Sequence, residues 1–168
     1  MQAPAVPDDP DATPAHYELA YDEAKRALDA QESVVNELRT RSGILIAAAA
    51  ITTSFFGGQA LADGAVGTAG WVAIAAFGLV GASVLTVLWP RTDWAFTVNA
   101  ERFIATYVES HEGPLPLPEI HRDLALHMST SYVVNARQLR VLTIAFRIGA
   151  IFLVGEVTAW VVDIGNGV

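Results

Sequence analysis

Cysteine is absent from the 168 residues, so disulfides, thiolate zinc sites and thiol nucleophiles are all excluded. Charge is scarce as well: 17% of residues are charged against 52% hydrophobic, and the mean hydropathy of +0.37 lies on the membrane side of ordinary globular usage. Basic residues number ten against 18 acidic ones, a formal net charge of −8, which argues against nucleic acid, a partner that wants a basic face. There is no Gly-rich phosphate loop, no nucleophile motif and no acid pair, so an enzyme is not expected. His111, His121 and His127 stand near Glu112, Glu119 and Asp123, but no two histidines have the i,i+4 spacing of a helical zinc site. Asp123 and His127 are four apart and suit a simple pair. Neither a metal nor a cofactor is expected.

The most telling absence is positional. No Lys or Arg lies in the connector 63–67 and none follows Arg147. The ten basic residues are Lys25, Arg26, Arg39 and Arg41, then Arg91, Arg102, Arg122, Arg137, Arg140 and Arg147. Two apolar stretches, Ser42–Ala62 and Thr68–Trp89, run between those groups, and a third, Leu142–Ile164, holds Arg147 in its opening turns. Each has the roughly 20 residues a helix needs to cross the hydrocarbon core, and basic residues stay on the cytoplasmic side. The expected fold is therefore an all-α integral membrane protein with three transmembrane helices at 42–62, 68–89 and 142–164. Its N-terminus and residues 91–141 would lie inside, and residues 63–67 and the C-terminus outside. The expected location is the cell inner membrane, multi-pass, with the lipid bilayer as first partner. Helices are required because lipid leaves no partner for unpaired backbone groups.

The remaining sequence reads as cytoplasmic extensions of those spans. Residues 1–13 are Pro-rich and acidic, with no basic or apolar region of a signal peptide, and read as a disordered tail. A helix is expected over 14–41, with Thr13 as N-cap and Pro14 in its first position. Tyr17, Tyr21, Ala24, Leu28, Gln31, Val35 and Leu38 are spaced alternately four and three apart, a heptad seam that can join helices of one chain or of several. Nothing interrupts the chain between Leu38 and Ile44, so this helix is expected to run on into the first span. Span two stops at Trp89-Pro90-Arg91. An amphipathic helix over 92–111 would carry Phe96, Phe103, Ile104 and Tyr107 on one face. The alternating prolines of 113–118 then make an extended turn. A third helix, beginning near Glu119 with Ile120, Leu124, Met128, Ser131, Asn135 and Leu142 on one stripe, should continue into span three. Together these make a small cytoplasmic helical bundle.

Glu156 is the sharpest single residue, a carboxylate in span three about 12 Å from its outer end at 1.5 Å per residue. A carboxylate in its charged form costs on the order of 2.5–3.5 kcal/mol in mid-membrane, and such groups face a bundle interior or water. Thr52, Phe56, Gln59 and Asp63 share a stripe of span one, so a polar intramembrane site of Glu156, Gln59 and Thr52 is expected, lining a pore or bridging helices. Arg41, Arg91, Arg140 and Arg147, with Trp71, Trp89 and Trp160, are expected as interface anchors. Small residues recur four apart at Gly43/Ala47, Ala50/Ser54, Ser54/Gly58, Gly78/Ala82 and Gly155/Ala159, a spacing that lets helices approach within the hairpin or between copies.

A cytoplasmic helix rich in Ala, Glu and Leu, leading through Arg41-Ser42-Gly43-Ile44-Leu45-Ile46-Ala47-Ala48 into a tight hairpin that ends at Leu88-Trp89-Pro90-Arg91, then an amphipathic stretch and a last span, resembles a known group. These are the small membrane effectors of bacterial antiphage systems, of the Pycsar transmembrane type and the related SLATT type, over roughly residues 17–165. The resemblance implies an effector that oligomerises and perturbs or permeabilises the inner membrane in response to a signal. No separate nucleotide-sensing segment is recognised, so a nucleotide signal would act on the cytoplasmic helices or through a protein partner. The alternative is a passive scaffold or anchor whose cytoplasmic bundle binds a soluble protein.

Overall fold

The structure, a computed structural model, describes residues 12–62, 66–90, 94, 100–109 and 113–166, and all regular structure among them is helical. Helix α1 spans Ala12–Ala62, α2 spans Thr68–Leu88, α3 spans Ala100–Phe103 with a π turn at Ile104–Val108, and α4 spans Leu117–Asn166. Three of these, α1, α2 and α4, are long and apolar enough to cross a membrane.

The lengths follow from where proline is and is not. After Pro14, in the first turn of α1, the next proline is Pro90, so nothing stops a helix of 51 residues. Thr13 lies within α1 rather than capping it, a shift of the size by which helix ends ordinarily differ. In α4 the last proline is Pro118 and the 50-residue helix runs uninterrupted to Asn166. That helix begins two residues earlier than Glu119 because the Pro116 carbonyl accepts from the Glu119 and Ile120 amides. Pro118 then stands where an amide would be unpaired anyway. α2 stops where expected, with the Trp89 amide donating to the Leu85 carbonyl at 2.8 Å and Pro90 following.

The chain divides into two compact units, Met1–Ser33 with Asp93–Arg137, and Val34–Thr92 with Gln138–Val168. In the first, Leu28 is buried from α1, and Leu124 and Met128 from α4, each contributing about 1.5–3 kcal/mol. Gln31, Ser131 and Asn135 are buried beside this apolar set. The Gln31 side-chain amide donates to the Tyr132 carbonyl at 3.1 Å, while its own Oε1 has no partner. The Tyr21 and His121 rings stack at 5.2 Å, and the Tyr107 hydroxyl donates to Asp123 at 3.2 Å. Asp123 thus bonds to Tyr107, and no ion pair with His127 is present among the described residues.

The amphipathic helix expected over 92–111 is described only in part. Its described part is one turn of α3 followed by a π turn. The wider π turn shifts the register. Phe103 and Tyr107 keep a ring contact at 5.1 Å, but Ile104 turns outward. The Leu115 amide donates back to the Tyr107 carbonyl, and Gly113 makes the reversal at φ +94°, a conformation that favours glycine. Residues 1–11, 63–65, 91–93, 95–99, 110–112 and 167–168 lie outside the described residues, and with them most of the connector, Arg91, Phe96, His111, Glu112 and the tail expected over 1–13, save Ala12 and Thr13, which are helical.

The second unit packs α2 against α1 and α4 with small residues. The buried face of α2 is Gly70, Ala73, Ala76, Val80, Val84 and Val87, without a polar side chain. Leu45 and Ala49 of α1 meet Val80 and Val84, bordered by Phe77, Phe146 and Phe152. A Cβ at Gly149 would lie 3.0 Å from the Leu45 side chain and 3.1 Å from that of Ser83, so this glycine sets the approach of three helices. Where apolar solvent gives no hydrophobic drive, such close backbone approach is the source of packing energy.

Candidate functional site

The polar core of the second unit is built by two helices. Glu156 on α4 is fully buried, at 0% exposure. Its Oε1 accepts from the Thr53 hydroxyl of α1 at 2.6 Å. One turn along α4, the Trp160 indole N–H is directed at the same Thr53 oxygen at 3.5 Å. Thr53 therefore relays between an indole donor and a carboxylate acceptor, using both capacities of its hydroxyl. Glu156 Oε2 is buried with no hydrogen-bond partner.

Local sequence explains the arrangement. Trp160 is packed with Ala60 and Ala73 and bordered by Phe56, Val66 and Ala159. A Cβ at Gly57 would lie 3.3 Å from the indole ring, so glycine there makes room for it. The small residues leave a hole that the largest side chain fills.

A second polar link joins α4 to the start of α2. Asp163 Oδ2 accepts from the Gly67 amide at 3.3 Å, and Gly67, the N-cap residue of α2, supplies no side-chain cap of its own. A carboxylate from α4 thus serves an unpaired amide at a helix N-terminus, where negative charge is favoured. A Cβ at Gly67 or at Gly70 would lie 2.5 Å or 2.6 Å from the Asp163 carboxylate, so glycine at both admits it.

Several expected site residues are placed differently. Gln59 is exposed and does not meet Glu156, and Thr52 is half-buried without a bond to it. The stripe that faces α4 is one residue round from the expected one and runs through Ala49, Thr53 and Ala60. Trp160 is corrected from an interface anchor to a core residue, exposed by only 1%. Trp71 and Trp89 stand exposed near the two ends of α2, as belt residues would, and Trp94 is half-buried. Arg41 is exposed and pairs with Glu37, while Arg140 and Arg147 are exposed and unpaired among the described residues. Leu28, Gln31, Val35 and Leu38 of the seam are buried, and Tyr17 and Tyr21 half-buried. Gly43, Ala47, Ser54, Gly58, Gly78, Ala82 and Gly155 are exposed, so these small residues do not make the contacts within the hairpin.

Two features were not anticipated from the residues alone, Thr53 as the partner of Glu156 and Asp163 as the cap of α2. Thr53 carries the signal of a hydroxyl on an Ala-rich face. Asp163 carries that of an acid close to the end of a span, with glycines at the start of its neighbour.

This is an all-helical protein over its described residues, with three helices able to cross a membrane, an architecture compatible with a multi-pass membrane protein. Comparison of the chain with protein-family models, curated proteins and solved structures gave no match, so its function is argued from its own residues.

Proposed function

We propose that this chain is a membrane-embedded effector, N-terminus inside, that oligomerises on a signal and then perturbs or permeabilises the inner membrane. The observation that carries the proposal is the sealed Glu156. An ionised acidic side chain in mid-membrane costs on the order of 2.5–3.5 kcal/mol. A helix-to-helix hydrogen bond in a membrane returns about 0.6 kcal/mol on average, and about 1.7 at most. The Thr53 bond alone therefore leaves a deficit, and Oε2 remains without a partner. A protein that only needs its helices held together gains nothing from that deficit. One that must expose a polar surface on activation does, because water or a second copy then satisfies the group. The outward small residues of α1, Gly43, Ala47, Ser54 and Gly58, support assembly, since they offer a face for close approach by another helix.

In this reading the resting chain keeps Glu156 against Thr53 and Trp160, and assembly repacks the spans so that the carboxylate lines a wet path. The antiphage setting that the sequence resemblance implies is part of the same proposal. The test is ion flux and particle mass on the same reconstituted sample, across protein densities and candidate nucleotides. A leak that accompanies a larger assembly and is abolished by Glu156→Leu, with insertion intact, supports the effector. Unchanged leakage in Glu156→Leu removes that residue from the mechanism. The passive scaffold is favoured by one observation, that the Thr53–Glu156 bond bridges two helices as structural glue would. A monomer or dimer that never leaks decides for the scaffold.

A further inference from the structure

The four arginines of α4, Arg122, Arg137, Arg140 and Arg147, have no counter-charge among the described residues, and the last two belong to the second unit. Arg140 and Arg147 are both exposed, and neither meets a carboxylate there. Two arginines of α1 differ: Arg26 pairs with Glu23 and Arg41 with Glu37, each on its own helix. α4 itself offers Arg140 and Arg147 nothing, because no Asp or Glu occurs between Asp123 and Glu156.

Their spacing defines one binding line. Seven residues separate them, so they lie nearly on the same side of the helix, about 10 Å apart along its axis at 1.5 Å per residue. The residues between and beside them, Val141, Ile144, Ile148 and Ile151, are exposed and apolar. Side chains on a helix lean toward its N-terminus. The Arg147 guanidinium therefore reaches back past Ile144 toward Arg140, away from the apolar end of α4. A ligand that fits this face must present a negative charge to two guanidinium groups and a hydrocarbon chain to a row of isoleucines. Guanidinium matches phosphate in planar, bidentate geometry.

We propose that Arg140, Ile144 and Arg147 form a binding site for an anionic phospholipid, with the phosphate held by the arginines and an acyl chain laid along Ile148 and Ile151. The inference rests on the reading of α4 as a membrane span. Arg147 stands about two turns deeper than Arg140, at 3.6 residues per turn. A lipid held there has its phosphate drawn inward and the leaflet thinned beside α4. That is a local weakness in the bilayer at the protein's own surface, and it gives the membrane's charge a direct hold on the span that carries Glu156.

The experiment uses the full chain in vesicles of phosphatidylcholine mixed with phosphatidylglycerol. Flotation with the vesicles first establishes insertion, which tests the span alone. The lipid that stays with the protein after gentle extraction is then measured by mass spectrometry. Each arginine near a charged membrane surface is worth about a fivefold change. Phosphatidylglycerol is expected to be enriched about 25-fold over its bulk ratio to phosphatidylcholine, about fivefold for each of the two arginines. Arg147→Gln should lose about fivefold of that enrichment, and Arg140→Gln/Arg147→Gln should return the ratio to bulk. Arg41→Gln, whose arginine already has Glu37, should keep it. Bulk ratios in the wild-type protein, or equal enrichment in the double variant, overturn the proposal. Loss of the bound lipid to excess inorganic phosphate overturns it as well, in favour of a soluble anion.

Discussion

The two units draw on the same long helices, α1 and α4, yet their interiors differ in kind. In the unit with Asp93–Arg137 the buried side chains are Leu28, Leu124 and Met128, interleaved with Gln31, Ser131 and Asn135. In the unit with Val34–Thr92 they include Ala49, Ala60, Ala73, Ala76 and several valines, around the Trp160 indole and the Glu156 carboxylate. The first is a seam of large apolar residues with a few polar ones at its core. The second suits a bundle in lipid, where small residues set the distance between backbones and a hydrogen bond links the helices. Both α1 and α4 contribute to both interiors, because the stripe of contact residues changes in kind along each helix.

That contrast is most severely tested at Trp160. Trp160→Ala should destabilise the protein by about 3–5 kcal/mol, since the Gly57, Ala60 and Ala73 walls are too small to close the hole. Denaturant titration in bicelles measures this, and a loss under about 1 kcal/mol would return Trp160 to the interface. Thr53→Val comes next: it keeps the shape but leaves both Glu156 oxygens without a protein donor, which costs roughly 1–3 kcal/mol. The same titration should show no loss for Gln59→Leu, because Gln59 is exposed and takes no part in this site.

In the other unit the sign reverses. Gln31→Leu removes a buried amide whose Oε1 has no partner, and the Tyr132 carbonyl loses only a side-chain donor. This variant should be stabilised by about 1 kcal/mol, read as a rise in melting temperature. A clear fall instead would mean that the polar layer is needed to hold the register of the seam. The smallest effect is expected at the Asp163 link. Gly67→Ala should cost about 1 kcal/mol by displacing the carboxylate from its amide, and should be neutral in an Asp163→Ala background. A cost that persists in the double variant would place the clash elsewhere.

Much of the helical plan was legible because it follows from local rules. The distribution of Pro14, Pro90 and Pro118 allows α1 its 51 residues and α4 its 50, and the heptad spacing from Tyr17 to Leu38 marks the buried stripe of the α1 extension. Glu156 was legible as well, since a carboxylate in an apolar run stands out whatever its surroundings. Its partner was not. Thr52 and Thr53 are adjacent, and in an Ala-rich span the lipid side and the helix side are equally apolar, so periodicity cannot choose between them. Trp160 misled for the same reason: near a span's end an indole suits the interface and the core alike until the small residues opposite it are known. The π turn at Ile104–Val108 has no sequence signature at all, and Ile104 at its start stands exposed.

The central claim is that the sealed Glu156 site opens to water when the protein acts. Because the chain has no cysteine, one thiol can report on it without background. Ala49→Cys places that thiol one turn before Thr53, at a position with 0% exposure. Labelling by a charged, water-soluble thiol reagent should be compared before and during ion leakage from vesicles. The account predicts protection at rest and labelling that rises with the leak. Leakage with the introduced thiol still protected would contradict it.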